Sequence, residues 1–102
     1  MEIEINIVRP VNPVGVSFIK YVYGAVASKN RRVIELYKRE FTRLVTKFGY
    51  KVEEVIGTDK MITGSIVLEL DEKSRPVRIY SKYLKVWEPT KDINEKIEVN
   101  NE

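Results

Sequence analysis

The sequence predicts an α+β fold: a mainly antiparallel sheet of four or five strands with one or two helices packed on one face. Three observations lead to this prediction. Residues 2–8 alternate isoleucine with polar side chains, which is the period of a half-buried strand. Residues 30–48 place large apolar side chains three and four positions apart, as in an amphipathic helix. Residues 63–70 and 76–80 are apolar runs separated by a charged turn, which is typical of a hairpin.

The first strand is expected to end at Pro10, because proline cannot donate to a strand ladder. Asn12 suits the N-cap of a following helix, and Pro13 suits its first position. The apolar side chains that follow share one side at 100° per residue, so a helix is predicted over 13–27. A strand is the alternative, since the segment is rich in β-branched and aromatic residues.

The second helix is predicted to begin after Ser28 or Asn30, either of which can cap it, and to end before Gly49. Residues 50–56 are then expected to form a short strand. The element order becomes β-α-α-β-β-β, or β-β-α-β-β-β if the first helix is instead a strand.

The hairpin has a predicted register and a predicted irregularity. A bulge is expected within residues 81–83, because the buried positions change from odd to even numbers there, and a last strand is expected over 83–88. The proposed cross-strand pairs are Leu70 with Val77 and Leu68 with Ile79 on the buried face, and Glu69 with Arg78 and Val67 with Tyr80 on the other.

Composition removes several chemistries. The chain has no His and no Cys, which excludes imidazole bases, thiolate zinc sites and cysteine nucleophiles. The five glycines form no phosphate-binding loop, so no cofactor is expected. We therefore predict a protein that is not an enzyme, with no catalytic residues and no metal. A hydrolase using carboxylates and a divalent metal is an alternative, with Glu53, Asp59, Glu69 and Asp71 as its candidate acids.

Charge is unevenly distributed along the chain. Residues 88–102 carry five acidic and two basic side chains, a net of −3, so the remaining residues carry 16 basic and 10 acidic groups, a net of +6. Residues 1–89 are predicted to form one domain, and residues 90–102 an acidic, loosely held tail.

Basic residues on the second predicted helix are the main indication of function. They form a stripe opposite the apolar side, and arginine is well suited to bidentate phosphate contacts. A second basic group alternates with aromatic residues in the last strands, as in surfaces that stack bases. The predicted nucleic-acid-binding residues are Arg32, Arg39, Arg43 and Lys47 on the helix, and Arg78, Lys82 and Lys85 on the strands.

A protein-interaction module or homodimer is the main alternative to nucleic-acid binding. Residues 2–8 and 83–88 are candidate sheet edges that could accept an extended peptide. No segment has the length and apolarity of a membrane span, and no signal peptide is evident, so we expect a soluble cytoplasmic protein without a membrane partner. The absence of Cys and Gln beside many Lys, Glu and Arg is a bias of hyperthermophile proteins, so an archaeal or viral source is expected.

Overall fold

Two helices lie against one face of a three-stranded antiparallel sheet in the computed structural model, which describes residues 1–101. The central strand, Met61–Leu70, pairs with the strand Glu2–Val11 on one side and with the strand Pro76–Trp87 on the other. The predicted α+β class is confirmed, but the sheet has three strands rather than four or five. The elements are β1 (Glu2–Val11), α1 (Val16–Lys29), α2 (Arg31–Ile56), β2 (Met61–Leu70) and β3 (Pro76–Trp87).

The hydrophobic core lies between the sheet and the helix pair. Alternate residues of β1 and β2 face the helices, as the period of a strand requires. Two aromatic pairs join the helices: the Phe18 and Phe48 rings stack with centroids 6.3 Å apart, and Tyr23 meets Phe41 edge-on at 6.4 Å. The largest fully buried side chains of this layer are Ile5, Ile7, Phe18, Val22, Val26, Val33, Phe41, Val45, Ile62, Ile66 and Leu68.

The first helical segment is helix, as predicted, and the strand alternative is wrong. Its start is displaced, because Asn12 does not cap it. The Asn12 side chain instead accepts a hydrogen bond of 3.0 Å from the Val14 N–H, which closes a local turn before the helix. Gly15 takes the N-cap position without a side-chain hydrogen bond, and α1 begins at Val16.

Helix α2 continues through Gly49 to Ile56, so the predicted strand over 50–56 is wrong. Apolar residues keep helical spacing on the core side through Val52, and this periodicity outweighs the presence of a glycine. A Cβ at position 49 would collide with the carbonyl of Pro13. Gly49 is therefore required for close packing rather than for ending the helix. At the other end, Asn30 caps α2 as predicted, accepting from the Arg32 N–H at 3.1 Å.

Strand β3 is continuous from Pro76 to Trp87, so the separate strand predicted over 83–88 does not exist. The expected irregularity is present: Ser65 pairs with Tyr83 and Ile66 with Ser81, which leaves Lys82 as the extra residue of a bulge. One predicted pair is wrong, because a second register shift places Pro76, not Val77, opposite Leu70. The confirmed pairs are Leu68 with Ile79, Glu69 with Arg78 and Val67 with Tyr80.

The segment after β3 has no helix or strand as far as residue 101, and its side chains are exposed. The predicted acidic tail, 90–102, covers most of this segment; Glu102 lies outside the described residues. Neither helix of the described chain is long and apolar enough to cross a membrane.

Candidate nucleic-acid interface

The outward side of α2 carries the first group of predicted site residues. The helix contains 26 residues and is about 39 Å long at 1.5 Å per residue. Its buried side, which includes Phe41, Val45 and Val52, faces the sheet. Arg39 and Arg43 are one turn apart on the opposite side and are exposed, so the helix presents them away from the core.

A kink divides this surface. Tyr37 has φ −134° and ψ 31°, which are not helical values, so the first turn and a half of α2 is set at an angle to the rest. Arg32 lies before the kink, whereas Arg39, Arg43 and Lys47 lie after it. Of the four exposed cations, three therefore follow one another at successive turns after the kink, and one precedes it.

These four cations have no ion-pair partner within residues 1–101. Three of the four acidic side chains of α2 are engaged with other bases, and Glu53 is the exception. Glu35 lies 4.0 Å from Arg31, Glu40 lies 2.8 Å from Arg75, and Glu54 lies 3.4 Å from Lys51. We call Arg32, Arg39, Arg43 and Lys47 the α2 basic row, whose charge is available to an external anion.

Tyr50 extends the α2 basic row and was not among the predicted site residues. It lies seven residues after Arg43, which returns it to within about 20° of the same side of the helix, and it is 59% exposed. Tyr50 was missed because residues 50–56 were predicted to form a strand rather than a continuation of α2. The signal that would have revealed it is the continued helical spacing of Val45, Phe48 and Val52 on the opposite side.

The second predicted group lies on the outer face of the sheet, away from the helices. Its members are engaged within the protein: Arg78 lies 3.3 Å from Glu69 and 4.5 Å from the centre of the Tyr80 ring. Lys82 lies 2.6 Å from Glu4. The Lys85 ammonium lies 5.0 Å from the centre of the Trp87 ring.

This outer face is an alternating network of acids and bases. The Lys82 ammonium lowers the pKa of the Glu4 carboxyl, and the Ser65 hydroxyl lowers it to a smaller extent. Glu4 in turn raises the pKa of Lys82. Tyr80 donates to Glu2 at 3.0 Å, and this hydrogen bond raises the pKa of the phenol. The Ser65 hydroxyl is buried near Glu4 without a hydrogen bond of good geometry.

The two predicted basic groups therefore lie on opposite sides of a two-layer protein. The α2 basic row faces outward from the helix layer, whereas Arg78, Lys82 and Lys85 face outward from the sheet. A single straight nucleic-acid segment cannot contact both sides at once. Glu4 and Glu69 neutralise two of the three cations of the sheet group, whereas the helix group has no acidic partner among the described residues.

The candidate acids of the metal-dependent alternative are not assembled. Glu53 is on α2, Asp59 is in the following loop, Glu69 is paired on β2, and Asp71 is in the hairpin turn. There the Asp71 carboxylate accepts from the backbone N–H groups of Arg75 and Lys73, contacts that lower its pKa. In the part of the chain that the structure describes, no three acidic side chains are placed to share a metal ion.

Comparison of the chain with protein-family models, with curated proteins and with solved structures finds no match. The function must therefore be inferred from the surfaces described above.

Proposed function

We propose that the protein is a small accessory protein, without enzymatic activity, that binds nucleic acid through phosphate contacts of the α2 basic row. One observation carries the proposal: Arg32, Arg39, Arg43 and Lys47 are exposed, lie on the side of α2 away from the core, and have no acidic partner among the described residues. Unpaired cations in a row favour an extended anion over a single small ligand.

Arginine supplies most of this row. The planar guanidinium donates two parallel hydrogen bonds to one phosphate and remains charged at every accessible pH, which favours Arg over Lys for this contact. Tyr50 adds an exposed ring at the end of the row, where it could stack on a base or contact a sugar. Arg78, Lys82 and Lys85 take no part in this contact, because acids and an aromatic ring engage them on the opposite side.

Binding through this row should depend little on base sequence. The chain has no Gln, and its six Asn residues all lie outside α2, so the side chains that usually read adenine are missing from this surface. Phosphate contacts fix the position of a protein on a duplex but carry no sequence information.

Fluorescence anisotropy with labelled duplex DNA of mixed sequence, titrated at several salt concentrations, tests the proposal. Four neutralised phosphates predict a slope of about −3.6 for log K against log salt, which is about a 150-fold loss of affinity between 50 and 200 mM salt. Affinity that is independent of salt, or no binding at 50 mM salt, would refute it.

Strand addition at the sheet edge is the second candidate function, and one observation favours it. The outer edge of β1 is capped by side chains of α1, whereas in the described residues no side chain caps the outer edge of β3. An extended peptide could add to β3 and continue the sheet. Titration of a labelled peptide with alternating apolar residues against the full chain would test this, and an unchanged signal at millimolar peptide would count against it.

A further inference from the structure

The two outer edges of the sheet differ in whether side chains bind their outward-pointing backbone groups. On β1, the Lys29 ammonium donates to the Glu4 carbonyl at 2.6 Å, and the Tyr21 hydroxyl donates to the Asn6 carbonyl at 2.9 Å. The same hydroxyl accepts from the Val8 N–H at 3.3 Å. These contacts occupy three of the backbone groups that another strand would need. Proteins block exposed edges in this way to prevent unwanted strand pairing.

The outer edge of β3 has the opposite character. In an antiparallel sheet the backbone groups of alternate residues point to opposite neighbours. The backbone N–H and C=O groups of Glu4, Asn6 and Val8 point outward from the outer edge of β1. The register of the sheet therefore directs toward β2 the backbone groups of Arg78, Tyr80, Tyr83 and Lys85. The backbone groups that point outward from β3 are therefore those of Ile79, Ser81, Leu84 and Val86, four residues along one free edge.

The segment that follows β3 has the pattern of a strand. Three of the four odd-numbered residues in 92–99 are apolar, namely Ile93, Ile97 and Val99, and they are 63%, 80% and 92% exposed. The fourth is Glu95, and the even-numbered residues are all polar. Three large aliphatic side chains in so short a segment have no partner in the extended conformation. The segment is also acidic, whereas the outer face beside β3 carries Arg78, Lys82 and Lys85.

We propose that residues 92–99 fold back within the same chain and add to the free edge of β3 as a fourth antiparallel strand. Four residues, Glu88 to Lys91, are the length of a common hairpin loop, and Pro89 falls where a type I turn favours proline. Trp87 then lies opposite Asp92, and Val86 opposite Ile93. This register directs the odd-numbered side chains to the helix side, where Val86 is 42% exposed.

The same register matches charges on the outer face. Asp92 lies beside Lys85, and Glu98 lies opposite Tyr80, between Arg78 and Lys82 once the bulge is counted. The tether favours the chain's own segment over a free peptide, because a short linker gives an effective concentration in the millimolar range. The proposal uses the strand-addition site of the second candidate function and does not depend on nucleic-acid binding by α2.

Amide hydrogen exchange, measured by NMR on the full chain, tests this proposal residue by residue. The N–H groups of Ile93, Glu95 and Ile97 would point to β3 and should exchange about tenfold or more slowly than in a free peptide. The N–H groups of Asn94 and Lys96 would point to solvent and should exchange freely. Uniformly fast exchange over residues 92–99 would overturn the proposal.

Two variants with the same change of charge sharpen the test. Ile97→Asp places a charge on the helix side and should abolish the protection, whereas Asn94→Asp lies on the solvent side and should retain it. Equal effects of the two substitutions would overturn the register. Protection that disappears on dilution would also overturn the proposal, because it would come from a second copy of the chain.

Discussion

Neutralising two arginines in the middle of the α2 basic row should halve the salt dependence of nucleic-acid binding. The variant is Arg39→Gln combined with Arg43→Gln. Gln has nearly the same helix propensity as Arg, and both side chains are exposed without an internal partner, so the fold should be unaffected. Four phosphate contacts give a slope of about −3.6, and the two that remain give about −1.8. The loss of affinity from 50 to 200 mM salt then falls from about 150-fold to about 12-fold.

A variant with the same change in net charge separates the row from the charge of the whole protein. Arg78→Gln combined with Lys85→Gln removes two positive charges from the outer face of the sheet, where Glu69 and Trp87 engage them. Its slope should stay close to that of the unmodified chain in the same anisotropy titration. If both double variants reduce the slope equally, binding follows net charge and the reasoning from unpaired cations is wrong.

Three further predictions concern the fold and the sheet network. Gly49→Ala should reduce the free energy of unfolding by about 1–3 kcal/mol in urea denaturation, because the added carbon meets the Pro13 carbonyl. Gly24→Ala, with open space around it in α1, should instead stabilise by about 0.5–1 kcal/mol, and the same sign for both would contradict the packing described. Asn30→Ala should cost about 1 kcal/mol through loss of the α2 cap, and no change in urea denaturation would show that the cap is dispensable. The pKa of Glu4, followed by NMR, should lie below its ordinary value of 4.5 and rise toward that value in Lys82→Met. Because the folded-state pKa is lowered, the ion pair stabilises the fold fully at pH values above 4.5, and this stabilisation is lost as the pH falls through the lowered pKa. An unshifted pKa of Glu4 would contradict the ion pair with Lys82.

Periodicity predicted the parts of the fold that it directly determines. The alternation of Ile3, Ile5 and Ile7 identified β1, and parity along the hairpin predicted a bulge within residues 81–83, which the structure places at Lys82. The number of strands was wrong for a different reason. Gly49 has the local character of a helix end, but its role depends on the carbonyl of Pro13, a contact between residues distant in sequence.

The candidate site could be predicted only in part. Helical spacing grouped Arg32, Arg39 and Arg43 on the side of α2 opposite the core, with Lys47 nearby, but it could not show the kink that separates Arg32 from the others. It could not show that acids from β1 and β2 engage the cations of β3, because pairs such as Lys82 with Glu4 join residues 78 positions apart. Tyr50 was missed because the extent of α2 was misjudged.

The measurement that tests the central proposal most directly is the mapping of backbone amide NMR shifts while duplex DNA is added to the unmodified chain. Binding through the α2 basic row predicts the largest shifts in Arg39, Arg43, Lys47 and Tyr50, with little change in β3. Largest shifts within residues 78–87, or no shifts at low salt, would contradict the assignment of nucleic-acid binding to α2.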